Sequence, residues 1–323
     1  MQAPDRHESF SLTAADRSVL QCYRWIPASP PPVTLQIVHG SLEHALRYAP
    51  FAQQLCDRGI AAYAHDLRGH GRTAQRESDL AYFSDGPDGW RRTLADVAAL
   101  AQHIDRLHPT AHRVMLGHSM GSFLARSHAA SDPRLSALIL SGAGGGRPLL
   151  LAVGTVLAWA TMHLRGRRRR SWMLHRMLYG TLNDQIENAV TPHDYLSRDT
   201  QVVQAYIEDP LCGLRSTSEY IYQFARGIAL AQRRATYHAT SRDLPILFIS
   251  GEHDPVAGPG GKQGALRQVY DRYRAAGVRD LTLNIYPGAR HEILNETNRL
   301  QVYGDVIDWM ITRTGPTDAA GEG

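Results

Sequence analysis

Arg113-Val114-Met115-Leu116-Gly117-His118-Ser119-Met120-Gly121-Ser122-Phe123-Leu124-Ala125 is the stretch on which the reading turns. Its first four residues suit a short apolar strand, and Ser122 to Ala125 suit the opening of a helix. Between them stands G-x-S-x-G, a sharp strand-to-helix turn that lifts a serine out of the backbone. The turn is crowded on both sides of the serine, so Gly117 and Gly121 flank it without side chains. A helix N-cap is the plain alternative for Ser119. The strand before it and the helix after it favour a nucleophile.

Outward from this turn, strands alternate with helices. Strand-like runs are Glu8–Thr13, Val19–Trp25, Thr34–Val38, Ile60–His65, Arg113–Leu116, Leu135–Leu140, Pro245–Ile249 and Leu281–Tyr286. Helical patterns cover Tyr48–Arg58, Gly89–Leu107, Met120–Ala130, Gly261–Ala276 and about Glu296–Thr312. This alternation predicts an α/β class with a mostly parallel sheet flanked by helices. The rhythm breaks between Leu140 and Pro245, where only helices and loops are readable. We expect residues 142–241 to form an inserted helical cap, residues 1–141 and 242–313 the core, and residues 314–323 a frayed tail.

A serine hydroxyl needs a base, and the base needs an orienting acid. On a sheet of this kind the order along the chain is serine, acid, histidine. Leu244–Ser250 reads as a late strand, and Gly251-Glu252-His253-Asp254-Pro255 follows it. Asp254 is the expected acid and Glu252 its rival. The other place for an acid, Ser141–Gly146, holds no carboxylate. His291, in Pro287-Gly288-Ala289-Arg290-His291, is the only histidine after the last strand and the expected base. His118, within the turn, reads as packing. Two backbone N–H groups are needed for the developing oxyanion. Met120 follows the nucleophile and supplies one; Ser41, in the loop after an early strand, supplies the other.

The resemblance then becomes specific. His39-Gly40-Ser41-Leu42-Glu43-His44-Ala45-Leu46-Arg47-Tyr48 resembles the HGxxEHxxRY segment of monoacylglycerol lipase and bacterial lysophospholipase-like serine hydrolases of the α/β-hydrolase superfamily. Asp66-Leu67-Arg68-Gly69-His70-Gly71-Arg72 resembles their DxRGHGxS, and the serine turn their GHSMGG with Ser122 in place of the last glycine. Leu196–Asp199, Asp209–Gly213, Asp254–Val256 and Ala289–Glu296 continue the match in order, through the cap. The resemblance implies the α/β-hydrolase fold, a Ser119–Asp254–His291 triad and fatty-acid esters as substrates, monoacylglycerols or lysophospholipids. It also leaves room for Glu43 and Arg47 at a glycerol-like head group. As residues four apart, these two are placed to pair and hold the loops. Leu42 departs from the small residue common at that point of lipase loops.

Composition agrees with an enzyme of ordinary kind. The 323 residues are 43% hydrophobic and 20% charged, with a net charge of +4. So small a charge gives no argument for nucleic acid. Cys22, Cys56 and Cys212 form no C-x-x-C pair, so neither a zinc site nor a disulfide framework is readable, and a cytoplasmic location fits. No metal or organic cofactor is implied. The most apolar run, Leu149–Leu164, is shorter than the roughly 20 residues of a membrane span. Arg165, Arg167, Arg168, Arg169 and Arg170 follow it. Residues 149–170 therefore read either as a buried cap helix with a solvated basic loop, or as a lid that touches an anionic membrane. An acyltransferase, amidase or general carboxylesterase on the same fold remains an alternative, as does a non-catalytic binding protein. Epoxide hydrolases and dehalogenases would carry Asp where Ser119 stands.

Overall fold

The structure is a computed structural model that describes residues 7–145, 148–258 and 262–314. Eight strands form one sheet: β1 (Glu8–Thr13), β2 (Val19–Trp25), β3 (Val33–Val38), β4 (Ala61–His65), β5 (His112–His118), β6 (Leu135–Ser141), β7 (Ile246–Gly251) and β8 (Leu281–Tyr286). Their spatial order is β1-β2-β4-β3-β5-β6-β7-β8. The first two strands pair antiparallel, and β2 pairs antiparallel with β4. All later pairings are parallel. Every residue of β3, β4 and β7 is buried, as expected of strands covered on both faces. The amide of Gln36 in β3 is accommodated by donating to Val97 O at 2.9 Å.

After β3 the chain crosses to β4 on one side, and β5 then returns to pair with β3 on the other. The carboxyl ends of β3 and β5 are therefore neighbours at a switch in strand order, where a crevice opens in sheets of this type. The loop 39–43 and Ser119 both sit there.

The helices are α1 (Ala49–Asp57), α2 (Gly89–Leu107), α3 (Met120–Ala129), α4 (Pro148–Arg165), α5 (Trp172–Tyr179), α6 (Thr200–Glu208), α7 (Ser218–Ala231), α8 (Arg234–Ala239), α9 (Gly264–Ala275) and α10 (Arg299–Thr314). The last helix begins later than the periodicity predicts, because Glu296 is engaged elsewhere. Its carboxylate accepts from the backbone N–H groups of Arg198, Arg290 and Thr297. It also ends later: Thr314 is buried and donates its hydroxyl to Met310 O at 2.8 Å, so it does not belong to a tail. Residues 315–323 of the expected tail lie outside the described residues, as does Gly261 of the expected helix 261–276.

Five helices, α4 to α8, occupy the interval between β6 and β7. Four of them join the main core, while Tyr206 of α6 packs in a small separate cluster with Ile186, Tyr195, Leu196 and Cys212. One apolar cluster runs from Leu138, Leu140 and Phe248 in the sheet, through Phe123 and Leu124 in α3, to Tyr220, Phe224 and Ile228 in α7. Phe224 stacks on Trp90 of α2 with ring centroids 5.9 Å apart. Gly227 is the point of closest approach, since a Cβ there would lie 2.2 Å from Trp90 Cε2. Gly227→Ala should overpack this seam and lower stability by about 1–3 kcal/mol. A lower urea midpoint with an unchanged slope is the expected result; an unaltered midpoint would show that α7 is free to shift.

Candidate active site

Ser119 stands between β5 and α3 with φ +49° and ψ −114°, a backbone state that L-residues avoid. The neighbouring glycines make it possible. A Cβ on Gly117 would lie 2.5 Å from Gly121 O, and one on Gly121 would lie 2.1 Å from Val38 O. Ser119 N–H donates to Ser141 O at 2.9 Å, which ties the turn to β6. Ser122, where the resemblance has glycine, is fully buried and donates its hydroxyl to Ser119 O at 2.6 Å. The side chain at that position adds a brace to the turn.

Asp254 lies just beyond β7 and His291 beyond β8. His291 Nδ1 and Asp254 Oδ1 are 2.9 Å apart, both residues being almost wholly buried. The other carboxylate oxygen accepts from Ser250 Oγ at 3.0 Å, and Val256 N–H adds a donor at 2.8 Å. Burial alone would raise the Asp254 pKa; the charge of His291 and these donors outweigh it and hold it below the usual carboxylate range. Burial alone would lower that of His291; the Asp254 charge and hydrogen bond reverse this and raise it. Glu252 is half-exposed and accepts from Gly288 N–H at 2.8 Å, away from this pair. His118 packs its ring on His291 with centroids 4.8 Å apart. It also lines a cavity of about 400 Å³ together with Gly40, Ser41, Ser119 and His291.

The profile of the family described as "Serine aminopeptidase, S33" matches residues 29–298. The chain belongs to this family. It is 32% identical to the monoacylglycerol lipase of Mycolicibacterium smegmatis, over 89% of this chain and 91% of that one. It is 27% identical to the monoglyceride lipase of Mus musculus, over 97% and 92%. Among solved structures, a thermostable carboxyl esterase from Bacillus coagulans, in complex with glycerol, superposes with a TM-score of 0.86 at 25% identity, covering 95% of this chain and 99% of that one. The fold is thus that of the α/β-hydrolases, and the protein is an ester-cleaving serine hydrolase.

In this S33 hydrolase the loop after β3 is held from beneath by buried charge. Gly40 N–H and Tyr48 O–H both donate to Glu43 Oε1, the latter at 2.8 Å. Arg47 donates to Glu43 Oε2 at 2.7 Å and makes a two-pronged pair with Glu292, with 2.7 Å from Nη2 to Oε2. The guanidinium also lies 4.8 Å from the centre of the Tyr206 ring. Two carboxylates therefore share one cation. Burial would raise Glu292, but Arg47 outweighs it and brings its pKa down to about 2. Burial raises Glu43, and the single contact with Arg47 does not offset it. Glu43 and Glu292 border the cavity, whereas Arg47 is not part of its wall. Both oxygens of Glu43 are thus taken by protein donors.

The imidazole of His39 is fixed in the same way. Leu67 N–H donates to its Nε2 at 2.9 Å, so Nδ1 carries the proton and donates to Gly40 O at 2.8 Å. Complete burial holds its pKa well below the ordinary value. Leu42 takes φ +59°, a left-handed state that costs a non-glycine residue about 1–3 kcal/mol. Its carbonyl accepts from Gly213 N–H at 2.9 Å and from Tyr206 O–H at 3.1 Å, both between β6 and β7. The departure noted at Leu42 is therefore a buried residue clamped in place, 4% exposed.

Several side chains here carry no signal in the sequence. Glu292 stands next to His291 in a run that matches the family, but its pairing with Arg47 spans 245 residues. Tyr179, Tyr206 and Tyr220 sit in helices whose periodicity reports only burial. The tightest group of metal-ligating side chains among the described residues is His44, Asp209 and Cys212, with ligand atoms within 4.8 Å of one another. There His44 Nε2 is already bonded to Asp209 Oδ2 at 2.7 Å, and burial pushes the Cys212 thiol up against the opposing charge of Arg47.

Arg47→Met would leave Glu43 and Glu292 buried without a counter-charge. Removing one partner of such a group destabilises by about 3–5 kcal/mol. In the variant the folded carboxylates take up protons more readily than the unfolded ones, so the deficit should grow as pH rises from 5 to 8. Thermal melts across that range check this; a deficit independent of pH would show that the carboxylates are hydrated.

Proposed function

We propose that Ser119 is the nucleophile, His291 the general base and Asp254 the acid that orients it, with the N–H groups of Ser41 and Met120 receiving the oxyanion. The observation that carries this reading is the 2.9 Å contact of His291 Nδ1 with a buried Asp254, beside a strained Ser119 on the same cavity. With Nδ1 protonated and facing Asp254, Nε2 is left as the acceptor for the Ser119 proton. Met120 N–H is the first of α3 and has no partner within the helix. Attack of Ser119 Oγ on the ester carbonyl forms the tetrahedral intermediate. The C–O bond to the alcohol then breaks, and His291 returns the proton to the leaving oxygen. Water repeats the sequence on the acyl-enzyme and releases the acid.

The substrate we assign is an ester with one fatty acyl chain, a monoacylglycerol before a lysophospholipid. The names of the relatives support this, and so does the cavity, whose far wall is apolar through Phe123, Leu151, Leu174, Met177, Phe224 and Ile228. Residues 142–241 serve as the cap over it, on a core built from the described residues to either side, from residue 7 as far as Thr314. Glu43 and Arg47 act by shaping the loop, with Glu43 at the edge of the alcohol side.

Among the described residues no helix is long and apolar enough to cross a membrane. The cap nonetheless has an apolar outer face. Leu149, Val153, Val156 and Trp159 of α4 and Trp172 and Met173 of α5 are exposed, while Ala158 and Met162 of α4 face inward. We assign this face to contact with a lipid surface. The arginines play a smaller part than their clustering suggests. Arg167 donates to Ser84 O and Gly86 O, and Arg170 to Leu80 O and Arg215 O. Arg168 pairs with Asp79 at 3.0 Å and covers the Tyr82 ring at 3.9 Å. These three brace the cap on loop 78–86; Arg165 and Arg169 are left facing solvent.

Ser119→Ala should lower turnover of a monoacylglycerol by about 10⁵–10⁶-fold and abolish fluorophosphonate labelling. Retained turnover would refute the assignment of the nucleophile. In the parent, kcat/KM should rise with pH as His291 loses its proton, with a midpoint above the ordinary histidine value, and Asp254→Asn should move that midpoint down. Across monoacylglycerols, lysophospholipids and short p-nitrophenyl esters, the highest kcat/KM is expected for monoacylglycerols.

Liposome sedimentation tests the cap. Trp159→Ser with Trp172→Ser should release the protein from vesicles and leave turnover of a soluble ester unchanged. Two exposed arginines at about 1 kcal/mol each allow anionic lipid to add no more than about thirtyfold. Binding that survives loss of both tryptophans would argue against the apolar face.

A further inference from the structure

The hydroxyl of Ser41 has a role separate from its backbone N–H. Ser41 Oγ lies 2.5 Å from Tyr179 Oη, at the end of α5, and 2.5 Å from Tyr220 Oη, in α7. Tyr220 Oη in turn lies 3.2 Å from His70 Nε2 and 3.1 Å from Met120 Sδ. The direction of this chain follows from its far end. His70 Nδ1 faces Arg68 O at 2.8 Å, and a carbonyl only accepts, so Nδ1 carries the proton. Complete burial brings the His70 pKa down to about 4, so the ring is neutral and Nε2 is an acceptor. Met120 Sδ also only accepts. The single proton of Tyr220 therefore points away from Ser41, and Tyr220 Oη must accept from it. Ser41 Oγ, having donated its proton, accepts from Tyr179. The order is Tyr179 O–H to Ser41 O–H to Tyr220 O–H to His70 and Met120.

This chain begins on the helix that follows the exposed face of α4 and includes both residues that carry the assigned oxyanion donors. It grips a loop that would not hold its shape unaided, since Leu42 is left-handed and its carbonyl is also held from the cap by Tyr206 and Gly213. We propose that Tyr179 and the Ser41 hydroxyl are positioning residues: seating α5 against the loop aims the Ser41 N–H at the oxyanion, so that the cap sets the rate of the chemical step. The proposal rests on the assignment of Ser119 and Ser41 given above.

The test uses the full-length protein with a soluble short-chain p-nitrophenyl ester. Tyr179→Phe keeps the ring and removes the first donor; Ser41→Ala breaks the chain and keeps the N–H. Each should lower kcat about tenfold, below the 10²–10³-fold for outright loss of a donor. KM should change less than about twofold, as for an interaction made in the transition state. The double variant should be no worse than Ser41→Ala, because Tyr179 acts through that hydroxyl. Affinity for a trifluoromethyl ketone, which forms the tetrahedral adduct, should fall in step with kcat/KM. Unchanged kcat per folded molecule, or losses that multiply in the double variant, would overturn the proposal, whatever happens to the melting temperature. Fluorophosphonate labelling of the parent separates the two levels. A parent that labels at Ser119 with an unaffected Tyr179→Phe sinks the positioning role alone. A parent that does not label sinks both.

Discussion

A serine at φ +49° survives at the mouth of a parallel sheet only because backbone closes on it from two sides. Gly121 meets the carbonyls of β3, and Gly117 meets the first turn of α3. A side chain at Gly121 would push α3 away from β3, and one at Gly117 would push it away from β5; either would move the first N–H of the helix. That contact brings loop 39–43 beside Ser119. The carboxyl ends of β3 and β5, neighbours through their shared register, do the rest. Ser119 and loop 39–43, to which we assign the nucleophile and one oxyanion donor, thus owe their places to one close approach.

The polar groups around this point are buried, and burial dictates their states. His39 and His70 are held neutral and serve as fixed donors and acceptors for loop backbone. His291 is the exception, because the buried carboxylate of Asp254 lies against it. The same reasoning explains Arg47. One guanidinium facing two buried carboxylates contributes little net stability against an apolar alternative, but its geometry fixes Glu43, and Glu43 fixes Gly40. What these charges provide is position.

The region between β6 and β7 has two characters. Helix α7 belongs to the main apolar cluster through Tyr220, Phe224 and Ile228. Helix α4 has one buried edge, Ala158 and Met162, and an open apolar face. The basic run after it is the strut between these two parts. Arg167, Arg168 and Arg170 cross to carbonyls and carboxylates of loop 78–86, so a cluster that looks solvated in one dimension is a joint in three.

Much of this was legible in the chain. Period-two runs, apolar stretches and the crowded turn around Ser119 are local features, and local sterics and burial determine them. The order of Ser119, Asp254 and His291 was readable for the same reason, since each follows a recognisable strand. The sequence alone did not disclose the work of the Ser41 hydroxyl. At that position the chemistry calls only for a backbone donor, which every residue but proline carries. Its partners stand 138 and 179 residues away, in helices whose spacing records which face is covered and nothing of where a phenol points. Hydrophobic pattern sets which surfaces meet; only the packed structure decides which polar groups meet across them, because a hydrogen bond depends on tenths of an ångström that no periodicity encodes.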